Sequence, residues 1–198
     1  MNSLFLIGSY LVGAIPFGLL ISKAAGIDVR REGSRNIGAT NVGRVLGKKL
    51  GALTLACDLA KGYLPMLLAD IYLPQGEGRL QIISLCGLLA VLGHMFPLYL
   101  LFKGGKGVAT GLGVFLFFSP SAIAVSLAIF IATVACTGFV SAGSLLAAAL
   151  APLWIWLFGG QGVTVLAAAL IAVLIWIKHY ENIGRLLRGE EKTWRRKA

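Results

Sequence analysis

Residues 102–113 read Phe102-Lys-Gly-Gly-Lys-Gly-Val-Ala-Thr-Gly-Leu-Gly113, and apolar sequence rich in Leu, Phe, Val and Ile closes on them from both sides. Two ammonium groups on a glycine-dense backbone, between one membrane-scale run and the next, suit few purposes. Glycines let successive backbone N–H groups turn toward an oxyanion, and a helix beginning there adds the positive end of its dipole. Lys103 and Lys106 supply full charge. This is the chemistry of a phosphate cradle at a membrane edge. The stretch also decides the topology, because the apolar segment that follows, Val108–Phe118, spans only about 16 Å as a helix at roughly 1.5 Å per residue.

Outward from it, the composition is that of an integral membrane protein. Of the 198 residues 58% are apolar and 13% charged, and the mean hydropathy is +0.85. A soluble domain of this size could not hide so much apolar surface. A bilayer core about 30 Å thick takes about 20 helical residues to cross. Runs near that length are 4–21, 50–73, 80–101, 121–136, 142–158 and 163–177. They are continuous and not alternating, which predicts an all-α protein and not a barrel.

Lysine and arginine set the expected orientation. Segment 23–49 holds seven (Lys23, Arg30, Arg31, Arg35, Arg44, Lys48, Lys49), the glycine-rich stretch two, and the tail from 178 seven more (Lys178, Arg185, Arg188, Lys192, Arg195, Arg196, Lys197). These sixteen of eighteen belong on the cytoplasmic side. With 23–49 inside, the N-terminus is outside, and a cytoplasmic tail requires an odd number of crossings. Counting Val108–Phe118 as a span gives about seven, with five as the alternative. The run 1–21 has no basic n-region and its positive charge follows it, so it reads as a first helix and not as a cleaved signal. The whole of 1–198 reads as one polytopic domain with cytoplasmic segments 23–49, 102–107 and 178–198. Cys57, Cys86 and Cys136 stand alone in apolar runs, without metal-ligand spacing, and read as small core residues. The net charge of +10 follows from the positive-inside bias and anionic headgroups, so no nucleic-acid partner is expected.

Several polar groups need a reason. The loop from Arg30 to Arg44 interleaves Ser34, Asn36, Thr40 and Asn41 with glycines, offering short hydrogen-bonding side chains to phosphate or polyol, and Arg44 adds a bidentate fork. The plainer reading is a capped turn with Thr40 or Asn41 as N-cap. Asp58 and Lys61 lie inside a span, where ionisable groups are costly unless paired, and their i,i+3 spacing favours a structural pair. His94 near a span's end reads as an interhelical hydrogen-bonder. After the last span, Trp176, Tyr180, Ile183 and Leu187 form an apolar stripe, with His179 and Asn182 together on another face. An interfacial anchor helix is the bland account of that segment. Parity places all three polar segments on one face, and a converging anionic site is the economical explanation. Walker spacing is missing after Gly104, which weakens a nucleotide site. A His-x4-Asp pair is missing too, since Tyr99 and Gly184 stand where the aspartate would be.

Three stretches together resemble a known family. They are Gly33-Ser-Arg-Asn-Ile-Gly-Ala-Thr-Asn-Val-Gly-Arg44, Gly93-His-Met-Phe-Pro97 followed by Phe102-Lys-Gly-Gly-Lys-Gly-Val-Ala-Thr110, and His179-x-x-Asn182-Ile-x-Arg185-Leu-Leu-x-Gly189-x-Glu191. In order and spacing they are similar to the three motifs of the bacterial acyl-phosphate:glycerol-3-phosphate acyltransferases (the PlsY family), and Asp58-x-x-Lys61-Gly62 also fits. Arg35 departs from the pattern, standing where many members have Gly.

The resemblance implies transfer of a fatty acyl group from acyl phosphate to the 1-hydroxyl of sn-glycerol 3-phosphate, giving lysophosphatidic acid and phosphate. It implies a location in the bacterial inner membrane with the site facing the cytosol, no metal or bound cofactor, and transient contact with a soluble phosphate acyltransferase. Lys103, Gly104, Gly105, Lys106 and Gly107 then bind phosphate. Ser34, Asn36, Thr40, Asn41 and Arg44 position substrate and stabilise charge, and His179 and Asn182 orient the attacking hydroxyl. Glu191, His94, Asp58 and Lys61 support the structure. The rival on residues alone is a small membrane transporter of phosphate or organophosphate, which would carry polar groups through to the outer face, where Glu77 and Arg79 are the charges.

Overall fold

Proline 16 interrupts the first apolar run, since it offers no N–H to an α-helical ladder. A computed structural model describes residues 2–194, and in it that run is two helices, α1 (Asn2–Ala14) and α2 (Phe17–Ala24). The break exposes the Ile15 carbonyl, which accepts a hydrogen bond from Lys61 Nζ at 2.7 Å. Lys61 belongs to the long helix α4 (Lys48–Tyr72), where Asp58 Oδ1 lies 2.9 Å from the same ammonium. Both side chains are buried, so the pair predicted from the i,i+3 spacing exists and ties α4 to the kink.

The remaining elements are α3 (Ala39–Leu46), α5 (Arg79–Met95), a 3-10 turn (Leu98–Leu100), α6 (Val108–Phe118), α7 (Pro120–Thr137), α8 (Val140–Leu157), α9 (Gly162–Lys178) and α10 (Tyr180–Leu187). No strand occurs among the described residues. Among the described residues five stretches are long and apolar enough to cross a membrane: Asn2–Ala24, Lys48–Tyr72, Arg79–Leu100, Pro120–Thr137 and Val140–Leu157. The 17-residue α9 passes the same test only when taken together with α10, from which it is bent by 60°. The 11-residue α6 is the short one, and whether it counts as a crossing decides between an odd and an even total. Arg195, Arg196 and Lys197 of the basic tail lie outside the described residues.

Helices in lipid associate through close packing, and small residues allow it. A methyl group at Gly13 or Gly93 would overlap backbone across the α1–α5 contact, and one at Gly62 or Gly113 would do so between α4 and α6. The main core gathers Met66, Ile83, Met95, Val114, Ile155 and Ile171 from α4, α5, α6, α8 and α9. A second, smaller cluster of Leu19, Val29, Ile37 and Val42 lies under the first polar loop. Cys86 is buried as expected, whereas Cys57 is half-buried and Cys136 is exposed at the end of α7. Cys136 is on an outward face of α7, so its position in an apolar run did not make it a core residue.

Candidate functional site

The first polar loop is built around one amide. Asn41, buried at the start of α3, donates from Nδ2 to the carbonyls of Val29, Glu32 and Asn36 at 3.1, 3.1 and 2.9 Å. Its Oδ1 accepts the Ser34 N–H at 2.7 Å. The N-cap of α3 is Gly38, with no side-chain cap, and neither Thr40 nor Asn41 fills that role. Asn36 Oδ1 instead accepts the Gly38 N–H at 2.9 Å. Asn41 therefore organises the loop that presents Ser34, Asn36, Thr40 and Arg44.

The glycine stretch is held from below by the end of α5. Leu101 and Phe102 both adopt left-handed backbone, at φ 50° and 63°, and turn the chain back so that Phe102 N–H reaches the Pro97 carbonyl at 2.9 Å. Gly105 N–H then donates to the His94 carbonyl at 3.1 Å. A Cβ on Gly104 would overlap the His94 carbonyl and Pro97, and one on Gly105 would overlap the His94 imidazole. These two glycines are thus required by His94 packed against them. Gly107, at φ 80°, is the N-cap of α6, and there Lys106, Gly107, Val108 and Ala109 face a cavity.

The third segment folds back over the same place. His179 and Asn182 are buried at the α9–α10 bend, while Tyr180 and Leu187 point outward, so the two faces separate as the spacing predicted. Lys106 Nζ donates to Asn182 Oδ1. Asn182 Nδ2 donates to Glu191 Oε1 at 2.6 Å, Ser141 Oγ to the same oxygen at 2.9 Å, and Arg185 Nε to Glu191 Oε2 at 2.6 Å. Farther on, Lys192 Nζ donates to the Gly33 carbonyl at 2.9 Å and Trp194 N–H to that of Gly138 at 2.8 Å. The C-terminal segment therefore straps the first loop to the α7–α8 turn.

These segments enclose one cavity of about 790 Å³. Its polar end holds Ser34, Asn36, Thr40, Asn41, Arg44, Lys106, His179, Asn182 and Glu191, with Asp58 and His94 also in its wall. Lys103, Gly104, Gly105 and Lys61 lie outside the lining; Lys103 is exposed beside it. His94 Nδ1 is 3.7 Å from Asp58 Oδ1, beyond hydrogen-bonding distance. The other end is apolar, with Leu112 and Phe115 from α6, Ile123, Leu127, Phe130 and Val134 from α7, and Ala147, Ala148 and Ala151 from α8. From Ser141 to Ala151 this wall runs along α8 for about 15 Å at the helical rise.

Charge and proton affinities are tuned at the polar end. Burial, helped by Arg185 and Arg44, lowers the Lys106 ammonium to about 8, against the pull of Glu191 and Glu181. Burial also lowers His179 to about 4, aided by Lys106 and opposed by the bond to the Ile175 carbonyl. Burial tends to raise Glu191, yet the hydrogen bonds from Asn182, Arg185 and Ser141 bring it below the ordinary carboxylate value. The result is an ionised clamp at Glu191, a cation with a labile proton at Lys106 and a neutral imidazole. An anion bound there meets Arg44, Lys106 and the first turn of α6 together.

Several lining groups carry little signal in the sequence. Ser141 and Ser144 of α8, i,i+3 in an otherwise apolar span, were the available signal for a polar stripe. Lys48 and the whole apolar wall were not singled out, because a Leu or Ala facing a groove is indistinguishable in sequence from one facing lipid.

The chain matches the family model described as "Glycerol-3-phosphate acyltransferase" over residues 3–189. It is 62% identical over 197 residues to a protein of that name from Desulfotalea psychrophila, covering 100% of both chains. To that of Trichlorobacter lovleyi it is 49% identical over 188 residues, 95% of each. Among solved structures it superposes on PlsY (YgiH), an integral membrane glycerol 3-phosphate acyltransferase, at 39% identity. The TM-score is 0.91 for the glycerol 3-phosphate form, covering 98% of this chain and 96% of that one. For the lysophosphatidic acid form it is 0.90, covering 98% and 95%.

Proposed function

The chain belongs to the glycerol-3-phosphate acyltransferase family, and on that premise we propose that an acyl group passes in this cavity from acyl phosphate to the 1-hydroxyl of sn-glycerol 3-phosphate. Lysophosphatidic acid and phosphate leave. The observation that carries this reading is the joining of a cationic pocket to an apolar wall within one cavity: one ligand is a lipid, the other a small polyanion. A phosphate or organophosphate transporter is not favoured, because the relatives and the solved structures are acyltransferases.

In this account the acyl chain lies along α6, α7 and α8, which brings its carbonyl to the polar end. Lys106, Arg44 and the N-terminus of α6 neutralise phosphate, and Gly104 and Gly105 set the loop so that Lys106 faces inward. Lys103 adds charge outside. Ser34, Asn36 and Thr40 contact the substrates' polar groups, and Asn182 holds Lys106 in place. His179 accepts a hydrogen bond from the attacking hydroxyl. The hydroxyl oxygen attacks the acyl carbon, the carbon–oxygen bond to phosphate breaks, and the departing phosphate carries the negative charge. The hydroxyl proton goes to a phosphate oxygen. A phosphate monoester, with a second pKa of about 6, is a stronger base than an imidazole held at about 4.

The site faces the cytosol of a bacterial inner membrane, with the N-terminus outside, the tail inside and α6 counted as the seventh crossing. The support is the placing of sixteen of eighteen cations in three segments. A cysteine at Gly76 labelled only from the cytosolic side would invert this topology. The activity is tested by giving the purified protein labelled glycerol 3-phosphate with acyl phosphate or acyl-CoA. Labelled lysophosphatidic acid with acyl phosphate supports the reading, and turnover with acyl-CoA alone refutes the donor.

A further inference from the structure

Arg35 stands at φ 60°, in the left-handed region that a side chain disfavours and glycine accepts. Nothing in the turn requires a side chain there. Its closure uses backbone, Arg35 N–H to the Glu32 carbonyl at 2.9 Å, while Asn41 takes the N–H of Ser34. Yet the guanidinium is exposed at the cavity and forms no ion pair or hydrogen bond among the described residues. Two neighbouring cations are already engaged, Lys192 on the Gly33 carbonyl and Arg185 on Glu191.

Charge balance gives this cation a use. A phosphate monoester carries about −1.5 to −2 at neutral pH, and the reaction needs two phosphate-bearing substrates at once. Besides Lys192, held at the Gly33 carbonyl, the lining cations Lys106, Arg44 and Lys48 bring three positive charges against about three to four negative ones. The acyl chain of the lipid substrate is committed to the apolar wall. The soluble one arrives past the polar loop of Gly33, Ser34 and Asn36, where Arg35 is.

We propose that Arg35 captures the phosphate of glycerol 3-phosphate at the cytosolic rim, a binding role for a residue whose backbone would otherwise favour glycine. The proposal rests on the acyltransferase reading above. Its effect is electrostatic and falls on encounter and affinity, hence on KM for the soluble substrate.

Arg35→Gly is a clean test, because glycine fits φ 60° and the turn keeps its backbone bonds. The expected result is an unchanged or higher Tm and a KM for glycerol 3-phosphate raised roughly tenfold at low salt. The KM for acyl phosphate and kcat stay as they were, and the difference between variant and parent shrinks as ionic strength rises. Arg35→Lys recovers part of the loss. Calorimetric titration of glycerol 3-phosphate into the same proteins gives the matching change in Kd without turnover. An unchanged KM and Kd, or a shift confined to acyl phosphate, overturns the proposal. A parent protein that binds glycerol 3-phosphate through Arg35 but makes no lysophosphatidic acid overturns the acyltransferase reading instead.

Discussion

His179 Nδ1 lies 2.8 Å from the carbonyl oxygen of Ile175, one helical turn earlier in the chain. A carbonyl can only accept, so Nδ1 carries the proton and Nε2 keeps its lone pair. Burial, with the ammonium of Lys106 close by, lowers the ring to about 4. His179 is thus a neutral acceptor of fixed tautomer, suited to aligning a hydroxyl and poorly suited to keeping its proton.

The first prediction concerns its titration. A group whose pKa is lowered stays neutral until the pH falls through that value, so His179 should take no proton between about pH 7.5 and 5.5. Ring signals of labelled histidine, assigned with a His94→Gln variant, should stay flat over that window. A midpoint near 6.5 for His179 would remove the basis for a substrate base.

Lys106 gives a second pH dependence of opposite sense. Its ammonium is lost as the pH rises through about 8, while bound phosphate favours the charged form. KM for glycerol 3-phosphate should therefore climb between about pH 7.5 and 9. In Lys106→Arg, whose guanidinium stays charged, the climb should vanish even if the starting KM is higher. A parallel rise in both proteins would place the titrating group elsewhere.

Packing at the glycine stretch predicts a rescue. The three atoms that a Cβ on Gly105 would meet first all belong to the His94 ring. Gly105→Ala should lower Tm and activity, and His94→Ala in the same chain should restore much of the Tm. Gly107→Ala has no such remedy, because φ 80° itself disfavours a side chain by about 1–2 kcal/mol. Equal damage from Gly105→Ala with and without the imidazole would contradict the packing account.

The clamp at Glu191 should respond in graded fashion. Glu191→Ala leaves Asn182, Ser141 and Arg185 without their acceptor and should cost about 1–3 kcal/mol, read as a loss of kcat/KM of about ten- to a hundredfold. Glu191→Gln keeps an oxygen for two of these donors and should lose less. If Glu191 were the proton acceptor, both variants would be equally inactive.

The apolar wall predicts a chain-length effect. Ala148→Phe fills the groove between α7 and α8 part-way along its length. Transfer from short acyl phosphates should persist while transfer from long ones falls at least tenfold. Uniform loss across chain lengths would indicate general disruption instead.

Much of the site was legible because its three polar segments violate the apolar grammar around them. Ser34, Arg44, Lys106, His179 and Asn182 were each singled out in sequence, and all five line one cavity. What stayed hidden depends on neighbours distant in the chain. Gly104 and Gly105 looked like backbone opened for a ligand, and the neighbour that requires them is His94, ten and eleven residues earlier. Asn41 looked like a ligand contact, and its amide proved to be occupied with four backbone groups of its own loop. The spans were readable from length and hydropathy, but the kink at Pro16 and its bond from Lys61 required the packed structure.

The proposed function stands on direct transfer, with both substrates in one cavity and no acyl group held on the protein. It is tested by mixing the protein with radiolabelled acyl phosphate in the absence of glycerol 3-phosphate, quenching in denaturant and counting label on the chain. No covalent label should appear, and lysophosphatidic acid should form only once glycerol 3-phosphate is added. Stoichiometric acyl label on the denatured protein, discharged by glycerol 3-phosphate, would contradict it.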